Sequence, residues 1–142
     1  MSEEPITIEK LQQLITKGPF NRWLNFTLLK AGNEGIEMKA AWREEWVVNP
    51  DRGYTHGGIL AAIIDVAADY AIAARIGRPV PTIDLRVDYH KAAMPGDITA
   101  SARVVRLGGQ FSTAEASLYD PEGALVASGR GTYFTAEPKA SL

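Results

Sequence analysis

The run from Gly58 to Ile76 restricts this chain more than any other feature. It is rich in Ala, Ile and Leu, and Gly77 followed by Pro79 stops it. Its apolar residues go most of the way round a helix, so the helix has to be covered on most sides. Asp65 and Asp69 interrupt it, which makes it a poor membrane span and points instead to a buried helix within one domain. A chain of 142 residues has enough material to build that cover.

The flanking segments supply it. Ile8, Leu11, Leu14 and Ile15 recur at helical spacing after Thr7, a candidate N-cap, and Gly18-Pro19 ends that turn of chain, giving an N-terminal helix within residues 1–20. Phe26 and Leu28, then Ile36, Met38 and Ala40, alternate on either side of Gly32-Asn33-Glu34-Gly35 and predict a hairpin. Trp42 to Tyr54 reads as a loop. Beyond the long helix, Ile83, Leu85, Val87 and Tyr89 alternate with polar residues and predict a half-buried strand. Ile98 to Leu107, Phe111 to Tyr119 and Ala124 to Phe134 follow, separated by Gly108-Gly109 and Asp120-Pro121-Glu122-Gly123. Hairpin-length turns favour an antiparallel sheet, and such a sheet buries a long apolar helix best by curling around it. The expectation is a single α+β domain over 1–142, with residues 136–142 as a loose tail.

Composition removes several functions. The net charge of −2 gives no basic field for nucleic acid or an anionic membrane. Without cysteine there is no disulfide, thiolate nucleophile or Cys-based metal site, and two histidines make a zinc site unexpected. No metal and no cofactor are therefore expected. Met1-Ser2-Glu3-Glu4 is acidic and lacks a signal-peptide pattern, so a cytoplasmic location is expected.

Chemistry concentrates in two places. Thr55-His56-Gly57-Gly58 stands where loop becomes helix, and a helix N-terminus offers unsatisfied N–H groups and partial positive charge. Two glycines there admit a ligand close to the backbone, where a carbonyl can be polarised. The plainer alternative is a glycine loop with His56 as a cap or surface residue. Asp65 and Asp69 lie one turn apart on one helix face. Asp65, mid-helix, suits a general base or nucleophile as well as a structural role. Asp69, nearer the helix end, is expected at a solvated edge or paired with Arg75 or Arg78. His90 reads as a surface residue, Trp42, Trp46 and Tyr54 as core or acyl-pocket lining, and Arg86, Lys91, Arg103 and Arg106 as a solvated face or as contacts for phosphates.

The stretch Gly53-Tyr54-Thr55-His56-Gly57-Gly58-Ile59-Leu60, continued to Ile64-Asp65, resembles the PaaI family of acyl-CoA thioesterases. In that family G-x-x-H-G-G precedes an apolar helix with an acidic residue nine positions after the histidine, as Asp65 follows His56. The order of elements agrees from the first hairpin to Phe134. The resemblance implies a hotdog fold, a curled antiparallel sheet wrapped around a long central helix. It also implies hydrolysis of an aromatic or medium-chain acyl-CoA to free acid and CoA. The Gly57 N–H would polarise the thioester carbonyl, His56 would shape the turn or contact the thioester, and Asp65 would activate water or attack directly. Gly58, Asp69 (a polar helper one turn on) and Thr82 (a hydroxyl that orients water) would serve the substrate. The family's Asn three residues before the first glycine falls here on Pro50, so Asn49 is the candidate for that helper. Gly108-Gly109-Gln110 also lacks the basic residue often found after that glycine turn. The resemblance further implies a homodimer as the unit, assembled into a homotetramer, with Asp65 of one subunit facing Gly57 of another.

Three other readings compete. A non-catalytic acyl-CoA or aromatic-ligand binding protein on the same fold is the main alternative, because fold does not fix function. A hydratase would need motifs absent here, and a purely structural oligomerisation domain leaves Asp65 in an apolar helix without explanation.

Overall fold

A computed structural model describes residues 6–137. The acidic start at Met1 to Glu4 and the tail from residue 138 on lie outside the described residues. α1 spans Ile8–Lys17, and the Thr7 hydroxyl caps it by accepting from the Lys10 N–H at 3.1 Å. The first helix ends where Gly18-Pro19 predicts, and a second helix that the sequence reading did not include follows at once. Gly18 leaves the helix in an extended conformation, and Pro19 opens a second helix, α2, at Pro19–Leu24. A proline has no N–H to leave unpaired at a first helical position, so the residue that ends one helix starts the next. Leu11, Ile15 and Leu24 from this pair are fully buried.

Six strands follow the predicted order: β1 (Phe26–Gly32), β2 (Gly35–Ala40), β3 (Thr82–Tyr89), β4 (Ile98–Arg106), β5 (Phe111–Tyr119) and β6 (Leu125–Phe134). They form one sheet in the order β1-β2-β4-β5-β6-β3, with every neighbouring pair antiparallel. The long helix, α3, spans Gly57–Ile76 and lies in the curl of the sheet, which is the hotdog arrangement. Gly77, at φ 86°, ends it in a left-handed turn. No helix among the described residues is long and apolar enough to cross a membrane.

Small side chains set how closely helix and sheet approach. The inner face carries Ala100, Ala102, Ala114 and Ala116, with Gly129 and Gly131 in register opposite Ala116 and Ala114. The helix answers with buried Ala67, Ala68, Ala71 and Ala74, and Ile63, Ile64 and Ile72 fill the space between. Dense packing of this kind leaves no room for added atoms. The segment Trp42 to Tyr54 is more ordered than a plain loop. It contains a 3-10 turn at Glu44–Trp46 and a bridge between Val47 and Thr55, and Trp46 is fully buried.

The two sheet edges differ. Along β1, the Gln12 side chain acts as a surrogate strand: its amide donates to the Phe26 carbonyl at 2.9 Å and its oxygen accepts from the Leu28 N–H at 2.6 Å. Along β3 no described residue does the same. The predicted half-buried pattern survives there only at Leu85 and Val87; Ile83 and Tyr89 are each 55% exposed. The reason is position: β3 is the outermost strand, beside β6, where α3 covers only part of it.

A methyl added at Gly129 would meet the Arg86 carbonyl oxygen at 2.5 Å and Ile64 Cγ2 at 2.8 Å. Gly129→Ala is therefore expected to destabilise the domain by about 1–3 kcal/mol, read as a shift in the denaturant midpoint, because neither neighbour is free to yield.

Candidate active site

The N-terminus of α3 is shaped by its own cap. His56 Nδ1 accepts from the Gly58 N–H at 2.7 Å, and the His56 N–H is held by the Trp46 carbonyl at 2.8 Å. A ring nitrogen that accepts carries no hydrogen, so the neutral imidazole bears its proton on Nε2, on an exposed side chain. Gly58 has no side chain because one would strike the capping ring, at 2.9 Å from Nδ1. The Gly58 N–H is thus committed to the cap. The Gly57 N–H takes no hydrogen bond among the described residues, while the Gly57 carbonyl accepts from the Tyr89 hydroxyl at 2.8 Å. The first turn of the helix therefore keeps a free donor at the positive end of its dipole.

The second locus lies on the same helix. Asp65 Oδ1 accepts from Thr82 Oγ1 at 2.8 Å and from the Tyr133 hydroxyl at 3.0 Å. Asp65 and Thr82, both singled out from sequence, are thereby brought together. Tyr133, which sequence reasoning missed, joins them. It is fully buried on β6, and burial together with the nearby Asp65 carboxylate pushes its ionisation well above the ordinary phenol range, so it remains a donor. The spacing Gly129-x-Gly131-x-Tyr133, on the inward-facing positions of one strand, was the available signal, but only the sheet order puts that strand beside Asp65.

Asp69 corrects its expectation. It neither faces solvent nor pairs with Arg75 or Arg78; its Oδ1 accepts from the Val80 N–H at 2.9 Å. Arg78 binds the carbonyls of Thr135 and Ala136 instead. Burial pushes the Asp69 carboxyl up to about 7, partly countered by the Val80 hydrogen bond and reinforced by the Asp65 charge one turn away. Near neutral pH the two carboxyls can thus meet on one face with Asp69 protonated for part of the time, which reduces like-charge repulsion.

The remaining candidates make no hydrogen bond to His56, Gly57 or Asp65 among the described residues. Asn49 turns its side-chain oxygen onto the Asp51 N–H at 3.0 Å, and its carbonyl accepts from Arg52 and Gly53, so it closes the 49–53 turn. Arg86, Lys91 and Arg103 pair with Asp88, Asp120 and Glu115. His90 is exposed and bonds Ser128 at 2.8 Å. Grooves of about 630 and 410 Å3 open on the outer face of the sheet around Glu115 and Ser117, and neither includes His56, Gly57 or Asp65. Among the described residues no cluster of His, Asp and Glu could hold a metal ion.

Gly57 and Asp65 stand eight residues apart on one continuous helix, about 12 Å at 1.5 Å per residue. A carbonyl held on one cannot be attacked from the other within the same chain.

The raised carboxyl of Asp69 generates a stability prediction. Between its unfolded value and about 7 the folded chain binds more protons at Asp69 than the unfolded chain does, so this residue's contribution falls as pH rises through that window. Asp69→Asn keeps an acceptor for Val80 and removes the titration. The melting temperature of the variant is expected to gain on the parent as pH rises from about 5 to about 8, by a few degrees at the upper end. A difference independent of pH would contradict the assignment.

Comparison with known proteins identifies the family. Residues 52–127 match the thioesterase superfamily. The Escherichia coli medium/long-chain acyl-CoA thioesterase YigI is 29% identical over 131 residues, 81% of this chain and 84% of that protein. An esterase-named protein of Halobacterium salinarum is 40% identical over 94 residues, 59% of this chain and 62% of that one, so this match spans less than two thirds of that relative. An X-ray structure of a thioesterase superfamily protein superposes with a TM-score of 0.87 at 47% identity, covering 89% of this chain and 96% of that one. The zebrafish thioesterase superfamily member 2 superposes at 0.79 with 26% identity, covering 92% and 99%. The free donor at Gly57, the anchored carboxylate of Asp65 and the hotdog fold around them accordingly belong to a chain that is a member of the thioesterase superfamily.

Proposed function

We propose that this chain is a PaaI-type acyl-CoA thioesterase that hydrolyses a medium-chain or aromatic acyl-CoA and works as a homodimer. The observation that carries the reading is the pairing of a free N–H at the start of α3 with a carboxylate anchored on the same helix, too far away to serve it within one chain. A second copy removes that distance. β3 runs from Thr82, beside Asp65, to Tyr89, on the Gly57 carbonyl. Its outer edge has no partner among the described residues. Two copies joined antiparallel along this edge, about a two-fold axis near Leu85 and Arg86, bring the Thr82 end of one strand to the Tyr89 end of the other. Asp65 of one copy then approaches Gly57 of the other. Exposed Ile83 and Tyr89 become buried in the same step.

In this arrangement the thioester oxygen accepts from the Gly57 N–H, and the helix dipole stabilises the oxyanion as it forms. Asp65 takes a proton from water as that water attacks the carbonyl carbon, or attacks it directly to give an anhydride that water then opens. The carbon–sulfur bond breaks in either route, and the CoA thiolate leaves and is protonated. The E. coli relative is named for medium- and long-chain acyl-CoA, which supports an aliphatic acyl group among the substrates.

The test is thiol release from phenylacetyl-, benzoyl-, hexanoyl- and lauroyl-CoA. Asp65→Asn is expected to abolish turnover with the fold intact. Gly57→Pro is expected to do so as well, since proline is tolerated at a first helical position but has no N–H. Co-expressed as mixed dimers, the two inactive chains are expected to recover roughly a quarter of the wild-type rate, because half of randomly assorted dimers carry one complete site of two. No recovery from a mixture that forms dimers would refute the shared site, and binding of one acyl-CoA without release would replace hydrolase with binding protein.

A further inference from the structure

Resting on the reading that Asp65 drives hydrolysis, we infer that Tyr133 is a positioning residue that decides which oxygen of Asp65 reacts, holding Oδ1 and leaving Oδ2 for the water or the thioester. Both donors converge on one atom: Thr82 Oγ1 at 2.8 Å and the Tyr133 hydroxyl at 3.0 Å both reach Oδ1, which is nearer to that hydroxyl than the Asp65 main-chain carbonyl at 3.3 Å. Oδ2 takes no hydrogen bond and no ion pair among the described residues. A carboxylate held through one oxygen by two donors from different strands cannot swing about its terminal torsion, which is the soft degree of freedom of an aspartate. Thr82 comes from the outermost strand and is exposed; Tyr133 comes from the next strand inward and is fully buried. The exposed donor can exchange with water, and the buried one keeps the angle.

The strand is built for this ring. A methyl at Gly131, two residues before Tyr133 on the same face, would fall 2.6 Å from Tyr133 Cε2 and from its hydroxyl oxygen. The ring lies back along its own strand over the glycine, and only the missing side chain lets the hydroxyl arrive at the helix. Core packing alone does not account for a hydroxyl here, since phenylalanine would fill the same volume; both acceptors within reach of this one belong to Asp65.

The experiment compares steady-state kinetics of the full chain and three variants on the best acyl-CoA of the panel. Tyr133→Phe keeps the ring and frees the carboxylate to rotate. It is expected to lower kcat by about ten- to a hundredfold while KM stays within about threefold, as for loss of orientation at the reacting group. Gly131→Ala, by displacing the ring, is expected to move kcat in the same direction. A merely structural role would lower the melting temperature and raise KM along with the fall in kcat, whereas loss of orientation moves kcat alone. If Tyr133→Phe does not fold, Gly131→Ala carries the comparison, since it displaces the hydroxyl from Oδ1 while the ring stays in the chain. Asp65-dependent turnover with kcat of the substituted chain within twofold of wild type overturns this inference alone. Turnover that survives Asp65→Asn overturns the hydrolase reading, and this inference with it.

Discussion

The close approach of an alanine-rich helix to an alanine- and glycine-lined sheet is the constraint on which the rest depends. With Ala67, Ala71 and Ala74 on one surface and Ala100, Ala102, Ala116 and Gly129 on the other, α3 sits deep in the curl, and Trp46, Ile64, Ile72 and Leu118 close the remaining space. Depth fixes orientation. A helix seated this tightly cannot rotate, so Asp65 and Asp69 are turned toward β3 and β6 and nowhere else. Polar side chains are tolerated in that environment only when bonded, and each of these aspartates has found a donor: the Val80 N–H for Asp69, two hydroxyls for Asp65.

The same depth separates the two loci. The helix is continuous and buried, so its capped start and its acidic middle are held apart by two turns of hydrogen-bonded backbone. Nothing within one chain can fold the distance away. The edges of the sheet then differ in a telling manner. Gln12 finishes the β1 edge with a side-chain amide in the role of a peptide, whereas the β3 edge is left with apolar Ile83 and Tyr89 in solvent. One edge carries a side-chain terminator and the other carries none among the described residues.

Much of this was legible in the sequence because it rests on local pattern. The run into Ile76 and its stop at Gly77 announce α3 to within a residue, and the turn chemistry of Gly32-Asn33-Glu34-Gly35 and Asp120-Pro121-Glu122-Gly123 marks the hairpins. His56 as a cap was among the readings that local pattern allows. What could not be read depends on which strands become neighbours. Pro19 both stops and starts a helix, and only three-dimensional packing of Leu11, Ile15 and Leu24 makes the second helix worthwhile. The alternation of Ile83 to Tyr89 suggests a covered strand, yet an outermost strand shows the same pattern when its cover lies elsewhere. Asp69 looked like a helix-end charge until Val80, across the turn, supplied its donor. Tyr133 is 68 residues from Asp65 along the chain, and no local rule links them.

The strand order has a temporal side as well. β3 is made early, directly after α3, but its partner within the chain is β6, the final strand. On a ribosome, which adds residues from the N-terminus, α3 and β3 therefore emerge long before residues 125–134 exist to cover them. Until then the most apolar segment of the protein lacks the strand that joins β3 to the rest of the sheet, and the native pairing cannot be completed by any shorter nascent chain. The topology thus ties completion of the domain to the synthesis of residues 125–134, and until then the cover of α3 is incomplete.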